Sequence, residues 1–122
     1  MQIVGMPIVA SGTSAGGLMT QIDLPTPARV KALGSEALAQ YEKGKLVVGQ
    51  SGCLACHKIG ENGNAGPGPP LTEIANRLPA AAIARTLVNP TAPMPSFANL
   101  QQTQPDKFNA MVAFLGQLKG DQ

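Results

Sequence analysis

Both cysteines and the only histidine of this 122-residue chain fall within one pentapeptide, Cys53-Leu54-Ala55-Cys56-His57. The spacing is C-x-x-C-H, the pattern that attaches a c-type haem covalently. The two thiols of such a motif add across the two vinyl groups of the porphyrin and form thioether bonds. The next residue, His57, is then held under the ring, where its imidazole can bind the iron. The pentapeptide therefore predicts one covalent haem c.

Two other uses of this cysteine spacing are a redox dithiol and half of a zinc site. A thioredoxin-like dithiol is found within a βαβ pattern, and the sequence shows no such pattern. A structural zinc site takes four ligands. After Cys53, Cys56 and His57 no cysteine or histidine remains to complete one. Haem attachment is the interpretation that uses all three residues.

An iron with one histidine ligand keeps a sixth position, and a thioether there raises the reduction potential and shuts out small ligands. Lysine is a weaker alternative to the five methionines: Met1, Met6, Met19, Met94 and Met111. Met1 is terminal, and Met6 and Met19 precede the first predicted helix. Met111 lies at core spacing in a helix, where packing is the better explanation.

Met94 differs from the other methionines because it lies in a loop between Pro93 and Pro95. The two prolines restrict the local backbone and prevent the segment from folding into a helix. Buried methionines usually fill gaps in a core. A methionine held rigidly in a loop is better explained as a ligand, so the sequence predicts His57 and Met94 as the axial pair.

The composition fits a protein that takes part of its core from a cofactor. Apolar residues make up 43% of the chain, but aromatic residues only 3%, with no tryptophan. A buried haem would supply the missing apolar mass of this single domain. The formal net charge is +2, and two haem propionates would bring about two negative charges, so the charge favours neither nucleic acid nor a strongly acidic partner.

The elements that must position these residues are all predicted to be helical. Ser35 is expected to cap a helix that ends at about Gln50. Gly44 inside it is either a tolerated glycine or the point where another helix approaches closely. Apolar spacing and proline positions predict the remaining elements. These are helices Leu71–Arg77, Ala80–Val88 and Pro105–Lys119, with a glycine–proline loop at 60–70 and an irregular loop at 89–104.

The chain divides into an extended or flexible N-terminal segment, 1–34, and a haem domain, 35–122. Within the first segment, 3–9 is an interrupted apolar run, 11–17 is rich in serine and glycine, and Asp23–Pro27 should lie extended over the domain. The sequence shows neither a secretory signal nor a bilayer-spanning stretch. Because haem c is usually attached outside the cytoplasm, we expect an extracytoplasmic location, in the periplasm or on the outer face of the cytoplasmic membrane, with an export signal or anchor encoded upstream.

With these residues placed, the chain resembles class I c-type cytochromes over about residues 35–119. The resemblance rests on the pentapeptide, on Gly68-Pro69-Pro70-Leu71 and on Met94. It implies about four helices wrapped around one haem. In this family the N- and C-terminal helices cross at a small residue, which Gly44 matches, with Phe114 as the aromatic partner. The chain has Val48 where the family commonly has an aromatic residue, so the crossing is expected to pack differently.

The same resemblance implies a role for Pro69. In the family, the carbonyl of this proline accepts a hydrogen bond from the second ring nitrogen of the haem histidine. Such a contact would orient His57 and raise its basicity. Pro69 is therefore included among the cofactor-binding residues.

The segment Asn89–Phe97 is similar to that of cytochrome domains in membrane respiratory complexes. The resemblance implies electron transfer rather than catalysis, in a respiratory or photosynthetic chain. The partners would be a quinol-oxidising complex, a terminal oxidase or another cytochrome, with membrane contact only through an absent anchor or parent complex. Two alternatives remain open at this stage: a haem-based binder or sensor of a small gas, and an electron-entry domain of a larger redox enzyme.

Overall fold

The computed structural model describes residues 21–122, and within this range the chain is mostly helical, as the sequence predicts. The predictions for residues 3–9 and 11–17, and three of the candidate methionines, lie outside the described residues. Five α-helices, two 3₁₀ turns and one short hairpin make up the described part. They are α1 Ala28–Ala32, α2 Ser35–Gln50, the 3₁₀ turn Cys53–Ala55, β1 Lys58–Ile59, β2 Asn62–Gly63, the 3₁₀ turn Ile74–Asn76, α3 Ala80–Val88, α4 Ala98–Thr103 and α5 Pro105–Leu115.

The crossing of α2 and α5 is the main packing contact of the fold. At Gly44 a β-carbon would overlap the carbonyl oxygen of Ala110 and lie 2.7 Å from Cβ of Phe114. Only a residue without a side chain permits so close an approach, so the prediction of a helix crossing at Gly44 is confirmed. The ring of Tyr41 packs against Phe114 with their centroids 5.0 Å apart.

One continuous core surrounds this crossing. Its largest fully buried side chains come from α1, α2, α5, the segment around the pentapeptide and the chain just after α5. They are Val30, Tyr41, Val48, Leu54, Ile59, Phe108, Met111, Phe114 and Leu118. Met111 is thus a core residue, in agreement with the packing role predicted for it. Val48, which stands where an aromatic residue was expected from the family resemblance, is also fully buried.

The segment before α2 is partly helical. Residues 21–27 have no regular secondary structure, and Ile22 and Leu24 are buried against the domain. The following helix α1 was not predicted, because the whole of 1–34 was expected to be extended or flexible. Its five residues are stabilised by tertiary contacts, since Val30 is buried and Arg29 pairs with Asp121 at 2.9 Å.

Helices α2 and α3 have the predicted bounds, but the predicted cap of α2 is wrong. Ser35 is the first helical residue and makes no capping hydrogen bond. Gly34 occupies the N-cap position with φ of 111°, a conformation that favours glycine.

Three other predicted elements differ from the structure. Residues 71–77 form only the short 3₁₀ turn, and part of the predicted loop 89–104 is the helix α4. The last helix ends at Leu115, not Lys119. Beyond it the chain turns so that the carbonyl of Leu118 accepts a hydrogen bond from the amide of Ala75 at 2.9 Å. An unpredicted hairpin, β1–β2, follows the pentapeptide directly.

Candidate haem site

Cys53 begins a 3₁₀ turn that is separated from the end of α2 by two residues, and Cys56 directly follows this turn. Gly52 reverses the chain with φ of 84°, which is the left-handed region that glycine tolerates. The turn itself covers Cys53–Ala55, and the amide of His57 donates to the carbonyl of Cys53 at 2.9 Å. This last bond has the i to i−4 spacing of an α-helical turn, so it brings Cys53, Cys56 and His57 into one compact unit.

Both thiols are unpaired and partly buried. Burial raises the pKa of the Cys53 thiol to about 11, so this thiol is protonated at neutral pH. A redox dithiol works through a thiolate whose pKa has been lowered. The environment of Cys53 acts in the opposite direction and gives no support to the dithiol alternative.

The ring of His57 is oriented by the glycine–proline segment. Nδ1 of His57 lies 2.7 Å from the carbonyl oxygen of Pro69. Since a carbonyl can only accept, Nδ1 carries the proton and donates it to this bond. This is the contact that the family resemblance implied. A neutral ring protonated at Nδ1 has its lone pair on Nε2, which forms no hydrogen bond within residues 21–122.

Gly68 packs directly against the same ring. A β-carbon at this position would overlap Cε1 of His57 and lie 2.6 Å from Nδ1 and 2.8 Å from Nε2. The absence of a side chain at Gly68 therefore lets the backbone lie against the imidazole and bring the Pro69 carbonyl within reach. The glycine–proline pair acts as one support for the ring.

The loop around His57 is closed by further backbone hydrogen bonds. The amide of Gly68 donates to Cys56 at 2.8 Å, and the amide of Leu71 donates to Lys58 at 2.7 Å. The amide of Asn64 donates to the carbonyl of Leu54 at 2.9 Å. These bonds fasten the glycine–proline loop to the pentapeptide and to Lys58, the residue that follows it.

Met94 lies on a separate loop between α3 and α4. Its side chain is half-buried and packs against the core. Its amide donates to Thr91 at 3.1 Å, and the loop ends where the amide of Phe97 donates to Leu87 at 2.7 Å. No hydrogen bond of the described residues joins Met94 to the His57 loop. Its role as iron ligand stays a prediction.

The residues present fit a haem better than a bare metal ion. Two unpaired thiols, an imidazole with an unengaged Nε2 and a glycine against the imidazole ring meet within one turn and its adjoining loop. In the part of the chain that the structure describes, no three His, Cys, Asp or Glu side chains converge as a metal site would require. The donor set therefore suits a metal that brings its own four equatorial ligands.

Two supports of this site were not predicted from the sequence. At Gly63 a β-carbon would overlap the carbonyl oxygen of His57 and lie 2.9 Å from a methyl carbon of Leu54. Its neighbour Asn62 hydrogen-bonds the N-terminal segment through its side chain. The Asn62-Gly63 dipeptide is a known hairpin signal and could have indicated the hairpin from the sequence. In the structure, however, these two residues form the second strand rather than the turn.

Residues 39–115 match the family model of cytochrome c oxidase, cbb3-type, subunit III. The chain therefore belongs to this family, which places it among c-type cytochrome domains. The match extends from α2 to the end of α5 and includes the pentapeptide, Pro69 and Met94. Comparisons with curated proteins and with solved structures give no match.

Among residues 21–122, none of the helices has the length and apolar character that a bilayer span requires.

Proposed function

We propose that this protein is a one-electron carrier that holds a single haem c, attached at Cys53 and Cys56 and ligated by His57 and Met94. The observation that carries the proposal is the hydrogen bond from Nδ1 of His57 to the Pro69 carbonyl, with Gly68 against the ring. That arrangement fixes the tautomer and leaves Nε2 available for iron. Family membership supports electron transfer as the class of function.

A bound haem c supplies an iron that changes between the ferric and ferrous states by one electron. The thioether bonds of Cys53 and Cys56 would keep the cofactor attached in both states. His57, whose Nδ1 is bonded to the Pro69 carbonyl, would favour the ferric state as an electron-rich ligand, whereas the Met94 thioether would favour the ferrous state. Two protein ligands that stay in place in both states would keep the reorganisation small, as an electron carrier requires.

The proposal extends to the setting of the protein. Membership of the family supports a role as an electron-carrying component of an oxidoreductase complex in a respiratory chain. Electrons would come from a quinol-oxidising complex or another cytochrome and pass to a terminal oxidase, on the periplasmic face of the membrane. As a domain of such a complex, the protein would correspond to the electron-entry alternative. A photosynthetic chain is the alternative setting.

A second candidate function is the reversible binding of a small gas at the iron. It is favoured by the weak hold on Met94 itself, whose amide forms, among the described residues, one hydrogen bond, to Thr91 within a turn. If Met94 left the iron readily, the sixth position would be open to carbon monoxide or nitric oxide. The carrier and the gas binder therefore differ only in the state of Met94.

Visible spectra of both redox states, with a pyridine haemochrome assay, test the proposal. We expect one covalent haem c per chain and a low-spin spectrum in both states. The ferrous protein should keep this spectrum under carbon monoxide at neutral pH. Rapid formation of a carbonyl adduct would favour the gas binder, and a protein without covalent haem would refute both functions.

A further inference from the structure

The segment 21–27, here called the strap, crosses the surface of the domain and precedes the family match at 39–115. It has no secondary structure of its own, yet Ile22 and Leu24 are each only 8% exposed. A segment without backbone pairing stays in place only through contacts with the rest of the fold. Those contacts lead to the hairpin that follows His57.

Asn62 provides the polar part of this attachment. Its Oδ1 accepts a hydrogen bond from the amide of Asp23 at 3.1 Å, and its Nδ2 donates to the carbonyl of the same residue at 3.0 Å. The same Nδ2 also donates to the carbonyl of Ile59 at 3.0 Å. One side chain therefore pairs with the strap as a neighbouring strand would, and at the same time closes the hairpin turn.

The hairpin connects Asn62 to the loop that carries His57. In the hairpin Asn62 pairs with Ile59, and its neighbour Gly63 pairs with Lys58, the residue that follows His57. The backbone of Gly63 lies against the His57 carbonyl. In the hairpin turn, the amide of Gly60 donates to the hydroxyl of Thr72 at 2.8 Å. The hairpin is thus bonded both to the strap and to the segment that follows Pro69.

The other contacts of the strap are with α2. Nζ of Lys45 donates to the carbonyl of Leu24 at 3.1 Å, and the hydroxyl of Thr26 donates to Glu42. The side chain of Leu24 packs over Gly60, where a β-carbon would lie 2.7 Å from one of its methyl carbons. The strap therefore bridges α2 and the hairpin, which are the two elements on either side of the pentapeptide.

We propose that Asn62 is a positioning residue through which the strap fixes the His57 loop and, with it, the His57–Pro69 hydrogen bond. The inference rests on the proposed function where it concerns the iron. Without the Asn62 amide, the hairpin is released from the strap and the support of the glycine–proline segment weakens. A weaker Nδ1 hydrogen bond makes the imidazole a poorer donor to ferric iron, so the reduction potential rises.

The test compares Asn62→Ala with Asn76→Ala in the haem-loaded protein. Asn76 is a matched control, because its Nδ2 donates to a backbone carbonyl, that of Lys119, at 2.9 Å and lies outside the His57 loop. A second variant, Leu24→Ala, removes apolar contacts of the strap, including the one with Gly60, but leaves the hydrogen bonds of the hairpin and every charge in place. Two quantities are measured in each variant: amide hydrogen exchange over residues 57–71 and the reduction potential.

We expect exchange over 57–71 to be about tenfold faster in Asn62→Ala than in Asn76→Ala, because three side-chain hydrogen bonds are lost. The potential should rise in Asn62→Ala and, by less, in Leu24→Ala, and stay unchanged in Asn76→Ala. Equal exchange in the two asparagine variants would overturn the proposal. Faster exchange with no change in potential, or with a fall, would reduce Asn62 to a structural residue and overturn its positioning role.

The same experiment separates this inference from the proposed function. If the wild-type protein carries no covalent haem, the proposed function fails. The exchange data then decide alone whether the strap fixes the His57 loop. If the wild-type spectrum is that of a His/Met haem c and Asn62→Ala behaves like Asn76→Ala, only the inference about the strap fails.

Discussion

The loop that carries His57 and the loop that carries Met94 are held in different ways. The ring of His57 is hydrogen-bonded at Nδ1 and packed by Gly68, and the residues on both sides of it in the chain accept backbone hydrogen bonds. Within residues 21–122, Met94 has one hydrogen bond, from its amide, and a half-buried side chain between two prolines. Hydrogen bonds of the polypeptide therefore set the orientation of the His57 ring, whereas that of the Met94 side chain depends on packing and on the prolines.

This difference indicates where the function of such a site can change. Displacement of the His57 loop would require several hydrogen bonds to break together, so the part of the site around the pentapeptide is fixed. A displaced Met94 would require only a local rearrangement between α3 and α4. The choice between a sealed carrier and an open gas site is thus made in the Met94 loop.

The largest expected effect is on the His57 side. In Gly68→Ala the new methyl group would collide with the imidazole ring. We expect a loss of about 3 kcal/mol in the free energy of unfolding, measured by urea denaturation, together with a changed visible spectrum. Gly66→Ala is the matched control in the same loop, because a β-carbon there meets no atom within 4 Å. Similar losses in both variants would show that the ring is not rigidly packed.

Met94→Ala should affect the reduction potential strongly and the stability only moderately. Because the side chain is only half-buried, we expect the unfolding free energy to fall by about 1–2 kcal/mol, less than in Gly68→Ala. The reduction potential should drop by on the order of 100 mV or more, and the ferrous protein should bind carbon monoxide. Redox titration and gas-binding spectra measure these changes. Met111→Leu, a volume-conserving change in the core, should leave the spectrum intact, and an unchanged Met94→Ala spectrum would mean that another residue is the ligand.

Ser96→Ala tests how the Met94 loop is held. The hydroxyl of Ser96 donates to the carbonyl of Val88 at 2.6 Å and accepts from the amide of Ala98, at the start of α4, at 3.1 Å. Its loss should cost about 1 kcal/mol and allow the ferrous protein to form a carbon monoxide adduct, whereas the wild type should keep its spectrum. Visible spectra under carbon monoxide detect the adduct. Thr86→Ala, which removes a hydroxyl-to-carbonyl bond within α3, is the control and should behave like the wild type.

The smallest effect concerns the strap at acid pH. The pKa of Glu42 is lowered, chiefly by the hydroxyl of Thr26 and also by Lys45. Because the folded pKa lies below the ordinary value of about 4.5, this stabilisation is complete above that pH and is lost as the pH falls through the folded pKa. Thr26→Val should therefore be less stable than the wild type by about 0.5 kcal/mol at pH 7.

In urea denaturation the difference caused by Thr26→Val should shrink as the pH falls through the lowered pKa of Glu42 and disappear once Glu42 is protonated in both proteins. A difference that persists when Glu42 is protonated would mean that Thr26 acts through packing. In either case, the carbon monoxide binding of the ferrous protein should not change, because the strap supports the His57 side only.

Elements whose ends are marked by proline or glycine in the local sequence were predictable. Pro79 before α3 and Asn89-Pro90 after it set the observed bounds Ala80–Val88. Gly44 was identified because a glycine inside an amphipathic helix requires an explanation. The contact between His57 and Pro69 came from the family resemblance, since no local rule relates residues twelve positions apart.

The elements that were missed depend on distant partners. Residues 71–77 have a helical pattern, but the amide of Ala75 donates to Leu118 and is therefore lost to the helix. Helix α4, with the polar sequence Ala98–Thr103, begins where the amide of Phe97 is held by Leu87. The contact of Asn62 with Asp23 joins residues 39 positions apart. Local sequence patterns do not indicate contacts between residues so far apart in the chain.

The helix crossing at Gly44 and Ala110 also turns the intervening chain into a closed ring, and His57 and Met94 both belong to that ring. The entropy of closing a ring grows only with the logarithm of its length, so six extra residues in one of this size add about 0.1 kcal/mol. Insertions in the loops at 60–70 or 89–97 should then cost little in chain entropy. By contrast, a methyl group added at Gly44 would collide with the Ala110 carbonyl and separate the two helices that close the ring.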